Sequence, residues 1–548
     1  MFDSDIKKVQ SESAATVQNG TVSPYKVTGT DEVSRLTTAD IDDEILRRNG
    51  HEAVLERQFS WLSALGLGFS ITNSWVGYLS CFGQNLKYGG PNSVIFGLIV
   101  AFFVQYTITL GLSELASAYP SSGGQYHYCF ILAPPKTRRV SAYFTGWMSV
   151  LAWCLVTCSG VSLAAVSTLG IAAFFNPGFV ALPYQIWLVY VATAFVTALP
   201  LYIVPKRIPL TVQITLYTSL TGCVVWFITT LAMKQHTQPG SFITSTEYGT
   251  SGWSYSTAWL LGISNAMYAY SGTDGAIHIS EEMPSPGRRV PQVMSVTVWI
   301  GLLSSVPLIV ALLFCITDLD AVTSSPLSSL EVIYQATGSR TATAILSVWL
   351  LVVYISRLIK IICLSAQFLT VGRLAWAFAR DGGLPCSGYF SHVDEKREFP
   401  VRTTSAAFVF VCLYGLLYFA STTAFNSIVT SAVLFLNISY VVPQGILLVQ
   451  GRNKLPPRWL RLGYAGYLCN GFSVLWIVVL GVCVCMPPQL PVELNSMNYT
   501  SVSVVGLLTI IMTFWFALGH RFTGPQIDWD TIESGLVVTE LHGRRVGP

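Results

Sequence analysis

The sequence predicts an all-α polytopic membrane protein with about twelve transmembrane helices. Three observations predict this class. The chain has 548 residues, of which 52% are hydrophobic and only 11% charged, against about 25% charged in soluble domains. Apolar stretches of about 20 residues, the length that crosses a bilayer, recur from residue 59 almost to residue 520. The loops between them segregate their charge. Those on one side carry Lys136, Arg138 and Arg139, then Lys206 and Arg207, then Arg288 and Arg289, and further clusters from Arg373 to Arg402 and from Arg452 to Arg461. Those on the other side carry Lys87, Lys234 and Arg340. The positive-inside rule places the first set, and both termini, in the cytosol.

In chain order, residues 1–58 are polar, acidic and rich in Ser and Thr, and are expected to be a disordered cytosolic tail. A short surface helix is expected at 38–48, with Asp40 as its cap. The tail shows no basic segment followed by an apolar run, so no cleavable signal peptide is expected. The spans fall at 59–82, 93–118, 140–169, 184–204, 208–233, from 257 onward, 292–316, 341–364, 403–419, 424–449, 464–485 and 500–518. They group into a first five-helix unit (59–235), a second (256–450) and two additional helices (463–520). Residues 521–548 form a polar tail with no expected fold. The sequon at Asn498 is the one glycosylation signal in an exterior loop, and its nearness to the twelfth span makes it weak.

Several classes are excluded. The twelve cysteines are scattered through apolar runs without CxxC spacing, which argues against a metal site or a disulfide framework. No phosphate loop, HExxH or nucleophile elbow stands where catalysis could use it. Neither enzyme chemistry, a cofactor nor a nucleic-acid partner is expected.

Two spans are poor helices at their centres. The first reads Gly66-Leu67-Gly68-Phe69-Ser70-Ile71-Thr72-Asn73-Ser74, and the sixth reads Tyr270-Ser271-Gly272-Thr273-Asp274-Gly275. In hydrocarbon an unpaired backbone group costs several kcal/mol, so irregular backbone survives there only in protein packing or along a cavity. Small residues in a span ordinarily serve helix packing. Two weakened spans at the first and sixth places, the same position in each of two five-helix halves, instead point to a five-plus-five inverted repeat with its substrate site at the breaks. Gly66, Gly68, Phe69, Asn73, Tyr270, Ser271, Gly272 and Asp274 are the candidate substrate-binding residues. Among nearby aromatics, Trp75, Tyr78, Tyr268 and Trp153 offer ring faces to an ammonium group, although most membrane aromatics simply pack.

Asp274 is the sharpest of these. A carboxylate at mid-span costs about 2.5–3.5 kcal/mol on insertion scales and requires compensation. It either holds a substrate ammonium, carries a proton, or pairs with Arg357 or Lys360 of the eighth span. His278, one turn on, is a candidate proton shuttle or a packed histidine. Glu114, Glu281 and Glu282 sit at span ends near Arg and Lys. They read as ion pairs of an inner gate or as solvated interfacial charges.

The run Ser113-Glu114-Leu115-Ala116-Ser117-Ala118-Tyr119-Pro120-Ser121-Ser122-Gly123-Gly124-Gln125-Tyr126 resembles the second-span signature of the amino acid–polyamine–organocation superfamily. Gly272 to Glu282 followed by Arg289-Val290-Pro291, and Arg373 to Pro385, are similar to signatures of its fungal amino acid/choline transporter branch. The resemblance implies a five-plus-five core with broken first and sixth helices and two extra helices. It also implies secondary transport, often proton-driven, of choline, γ-aminobutyrate or amino acids. Superfamily members often place a cation in the fifth span, but residues 208–233 contain neither Lys nor Arg. Protons would then fall to Asp274, His278 or Glu114. The expected function is a plasma-membrane permease for a small amine-bearing solute. A nutrient sensor on the same fold, a polyamine transporter and a channel are the alternatives.

Overall fold

The computed structural model describes residues 37–529, except positions 53, 177, 247, 326, 356–364, 421, 494–496 and 528. The described secondary structure is helical, apart from one isolated antiparallel bridge between Asp394 and Phe399. Among the described residues, nine helices are long and apolar enough to cross a membrane. Trp61–Ala118 contains the first two expected spans, bent at Gly89 and Gly90 ahead of Pro91. The sixth span is broken into Tyr255–Ala266 and two 3-10 segments. Arg340–Ile355 and Ser365–Arg380 flank the undescribed part of the eighth. The twelve expected spans are thereby accounted for.

Burial separates core from shell. The apolar part of the third span is 83% buried and that of the twelfth 11%. Trp75, Trp153 and Trp226 are fully buried, whereas Leu188, Phe195, Ile228, Leu475 and Phe516 lie exposed on outward faces. An apolar exterior of this kind suits lipid. The first span packs on the fifth through Gly66, where a Cβ would stand 2.5 Å from the Val212 carbonyl oxygen. Only glycine permits that approach.

Both tails differ from expectation where they are described. The helix Thr38–Arg48 forms, but its N-cap is Thr37. Thr37 Oγ1 accepts from the Asp40 N–H at 3.3 Å, and Asp40 Oδ2 accepts from the Thr37 N–H at 2.8 Å. Asp40 is therefore the N3 partner of a capping box rather than the cap. The helix is docked, not free. Asp42 accepts from the Ser285 N–H at 2.7 Å, and His51 pairs with Asp381 at 3.1 Å. Residues after 521 also fold back. Phe522 is buried, and Arg139 donates to its carbonyl at 3.0 Å.

Candidate functional site between two broken helices

The first break is a single residue wide. Asn73 takes the left-handed conformation (φ 33°, ψ 56°), ending Trp61–Thr72 and starting Ser74–Ala118. Asn tolerates this region better than most residues because its short amide bonds locally. Its N–H donates to the Phe69 carbonyl at 2.7 Å, and its own carbonyl accepts from Val76 and Gly77. The sixth-span break is longer. Met267–Tyr270 is 3-10, Ser271 is extended, Gly272 is left-handed (φ 81°) and Thr273–Glu282 is 3-10 throughout. A ten-residue 3-10 run is unusual and marks strained, functional sequence. A Cβ on Gly272 would meet Ile71 Cγ2 at 2.8 Å, so the two breaks touch.

Between them lies a cavity of about 50 Å³, room for about three waters. The first span lines it with Ser70, Ile71, Thr72, Asn73, Val76 and Gly77, and the third with Val156, Ser159, Gly160 and Leu163. Tyr268 and Ser271 line it from the sixth span, Gln367 from the eighth, and Ala432 and Val433 from the tenth. No charged side chain is among the described lining residues. The carbonyl end of Trp61–Thr72 faces the N–H end of Ser74–Ala118 here. Partial negative and partial positive ends thus meet at one place.

Of the expected substrate-binding residues, Asn73 and Ser271 line this cavity. Gly66 and Gly68 instead serve packing, against Val212 and Thr297. Phe69 is fully buried in the core. Tyr270 stands edge-on to Phe102 at 6.0 Å. Asp274 needs correction as a cavity-facing anion. It is fully buried and is not among the residues that line the cavity, and three donors and a histidine nitrogen converge on it. Gln125 Nε2 (2.6 Å), Trp153 Nε1 (3.1 Å) and His278 Nε2 (3.2 Å) reach Oδ2, and the Tyr440 hydroxyl reaches Oδ1 at 2.5 Å. Arg357 and Lys360, the other expected partners, lie outside the described residues.

His278 links this hub to the Pro-Ser-Ser-Gly-Gly-Gln loop. Its Nδ1 stands 2.9 Å from the Ser122 carbonyl oxygen, an acceptor only, so Nδ1 must carry a proton. Nε2 then faces Asp274 Oδ2, another acceptor unless protonated. One proton is therefore required between His278 and Asp274. The two signature motifs bind each other at this point, since Gln125 and Ser122 on one meet Asp274, His278 and Glu281 on the other.

The basic end of the bundle closes beneath. Glu281 pairs with Arg380 (3.0 Å) and accepts from the Ser122 N–H (3.0 Å). Glu282 takes Arg373 in a bidentate grip, one arm at 2.9 Å. Glu114 holds both Arg452 and Arg458. All three carboxylates are buried, which removes the solvated-charge reading. Asn498 donates to the Val484 and Met486 carbonyls, both at 2.7 Å, so the nitrogen of the sequon is engaged in packing. Among the described residues no group of His, Cys, Asp or Glu could hold a metal ion.

The sequence did not point to Gln125, Ser159, Ser219, Gln367 or Tyr440. Gln125 lay inside a recognised loop motif; the others sit in apolar spans with no local signal.

Two interrupted helices around a buried, uncharged cavity are the arrangement expected of a secondary transporter. Comparison with known proteins then gives the family. The amino acid permease model matches residues 59–512, and the chain belongs to that family, within the amino acid–polyamine–organocation superfamily. It is 33% identical to the choline transporter of Saccharomyces cerevisiae, over 86% of this chain and 83% of that protein. It is 28% identical to the swainsonine transporter swnT of Arthroderma benhamiae, over 87% and 95%. It is 25% identical to the amino-acid permease BAT1 of Arabidopsis thaliana, over 88% and 95%. The protein is a multi-pass transmembrane permease for small solutes.

Proposed function

We propose that this permease imports a small amine-bearing solute such as choline, γ-aminobutyrate or an amino acid across the plasma membrane, driven by protons, with both termini in the cytosol. The observation that carries this reading is the uncharged polar cavity at the touching breaks, above a basic end closed by three buried carboxylates. A solute carboxylate would meet the N–H end of Ser74–Ala118, and an ammonium the carbonyl end of Trp61–Thr72 together with Tyr268. The solute crosses unchanged, with no chemical step. Names of the relatives support amines as cargo. A polyamine is less well served, because its several charges would find no carboxylate among the lining residues.

The proton is assigned to the His278–Asp274 pair. Removing it sets two acceptors 3.2 Å apart and weakens the grip of the sixth span on the Ser122 loop. Buried ion pairs at Glu114, Glu281 and Glu282 would form the inner gate that opens after it. Uptake of labelled choline, γ-aminobutyrate and amino acids in a permease-deficient yeast at pH 5 and pH 7 tests the proposal. Saturable uptake of at least one solute, faster at the lower pH, is expected. Wild-type uptake in Asp274→Asn, with normal surface delivery, would remove the proton role.

A further inference from the structure

The cavity holds two buried amide atoms without a partner among the described residues, Asn73 Nδ2 and Gln367 Oε1. Both residues are more than nine-tenths buried. The hydroxyls beside them are already engaged: Thr72 with the Gly68 carbonyl, Ser271 with the Met267 carbonyl, and Ser159 with the Tyr268 hydroxyl. A buried donor left unmatched is costly, so Asn73 Nδ2 calls for an acceptor at the cavity.

The orientation of Asn73 is set from the fifth span. Trp75 Nε1, which can only donate, reaches Ser219 Oγ at 3.0 Å. Ser219 Oγ in turn donates to Asn73 Oδ1 at 2.8 Å. With its oxygen held, Asn73 keeps Nδ2 at the cavity wall without a partner among the described residues. Trp75 is itself fixed, fully buried and 6.0 Å from the Trp226 ring. The fifth span, which contains neither Lys nor Arg, thus contributes a hydroxyl at the break.

We infer that Ser219 is a specificity-determining positioning residue, which turns Asn73 Nδ2 toward the cavity so that the site selects ammonium solutes carrying an acceptor oxygen over those that lack one. This rests on the reading given under Proposed function. The site rejects an analogue without the oxygen because that analogue leaves Nδ2 unpaired and buried.

The test pairs each solute with its counterpart lacking the acceptor: choline with ethyltrimethylammonium, γ-aminobutyrate with propylamine, and alanine with ethylamine. Whichever solute the wild type carries is used labelled, and its counterpart serves as inhibitor. In Ser219→Ala the KM of the carried solute should rise about tenfold, the scale of one hydrogen bond, while the inhibition constant of the counterpart stays within about twofold. Ser219→Thr, which keeps the hydroxyl, should restore the KM. An equal rise for both compounds, or a KM unchanged in Ser219→Ala, would overturn the inference while leaving the transport reading intact. A wild type that carries neither choline, γ-aminobutyrate nor any amino acid would overturn that reading and this one together.

Discussion

The two breaks solve the same problem in opposite ways. The first-span break spends one left-handed residue, Asn73, and leaves that residue's amide nitrogen without a partner among the described residues. The sixth-span break spends a longer 3-10 stretch and surrounds its polar group, Asp274, with three donors and the His278 ring. An open polar group is available to a ligand, whereas a saturated one holds protein elements together. On the proposed reading the first break reads the solute, whereas the sixth ties together the third span, the tenth span and the Ser122 loop. Mutations at the two should separate into effects on KM and effects on folding.

The largest effect is expected at Asp274→Ala. It strands the Gln125, Trp153 and Tyr440 donors in a buried site, at about 1–3 kcal/mol each. Little monodisperse protein should survive fluorescence-detected size exclusion, and normal recovery would break the comparison. Glu282→Gln comes next. Halving the buried pair with Arg373 costs about 3–5 kcal/mol, visible as a lowered Tm. The double variant Glu282→Met with Arg373→Met should regain much of that Tm while uptake stays low, because a gate that cannot separate charges no longer cycles.

Asn73→Gly sharpens the contrast. Glycine keeps the left-handed turn without strain and deletes only the amide. Losing the Ser219 partner costs about 1 kcal/mol, so Tm should fall far less than in Asp274→Ala while KM rises about tenfold. Asn73→Ala adds about 1 kcal/mol of backbone strain and should lower Tm as well. A large fall in Tm for the glycine variant would place Asn73 with the structural group.

The smallest effect concerns pH. His127, in the loop outside the spans, is pushed down to about 3 by burial and then by the neighbouring His51. The unfolded chain therefore binds a proton near pH 6.5 that the folded chain refuses until about pH 3. Stability is thus lost as pH falls through that window. His127→Gln, which can still donate to the Asn49 carbonyl (2.7 Å), should flatten part of the Tm decline between pH 6.5 and 4.

Much of this architecture was legible in the chain. Apolar run length gave the spans, and Gly-rich polar centres gave both breaks, because those features are local. Asn73 and Ser271 were found the same way. Asp274 drew attention for the right reason, its cost in a span, but its compensation came from Trp153 and Tyr440, far off in sequence. No local pattern marks a tyrosine in an apolar tenth span as a carboxylate partner. Gln367 and Ser219 were hidden likewise. The composition of the tails suggested disorder, yet His51 and Asn49 dock on Asp381 and His127, contacts that no charge count foretells.

Counterflow of the carried solute in proteoliposomes tests the central claim most directly, comparing wild type with Asn73→Gly at equal incorporation. The account predicts saturable counterflow in wild type and a half-saturating concentration about tenfold higher in the variant. Flux that never saturates in wild type, or identical saturation curves for the two proteins, would contradict it.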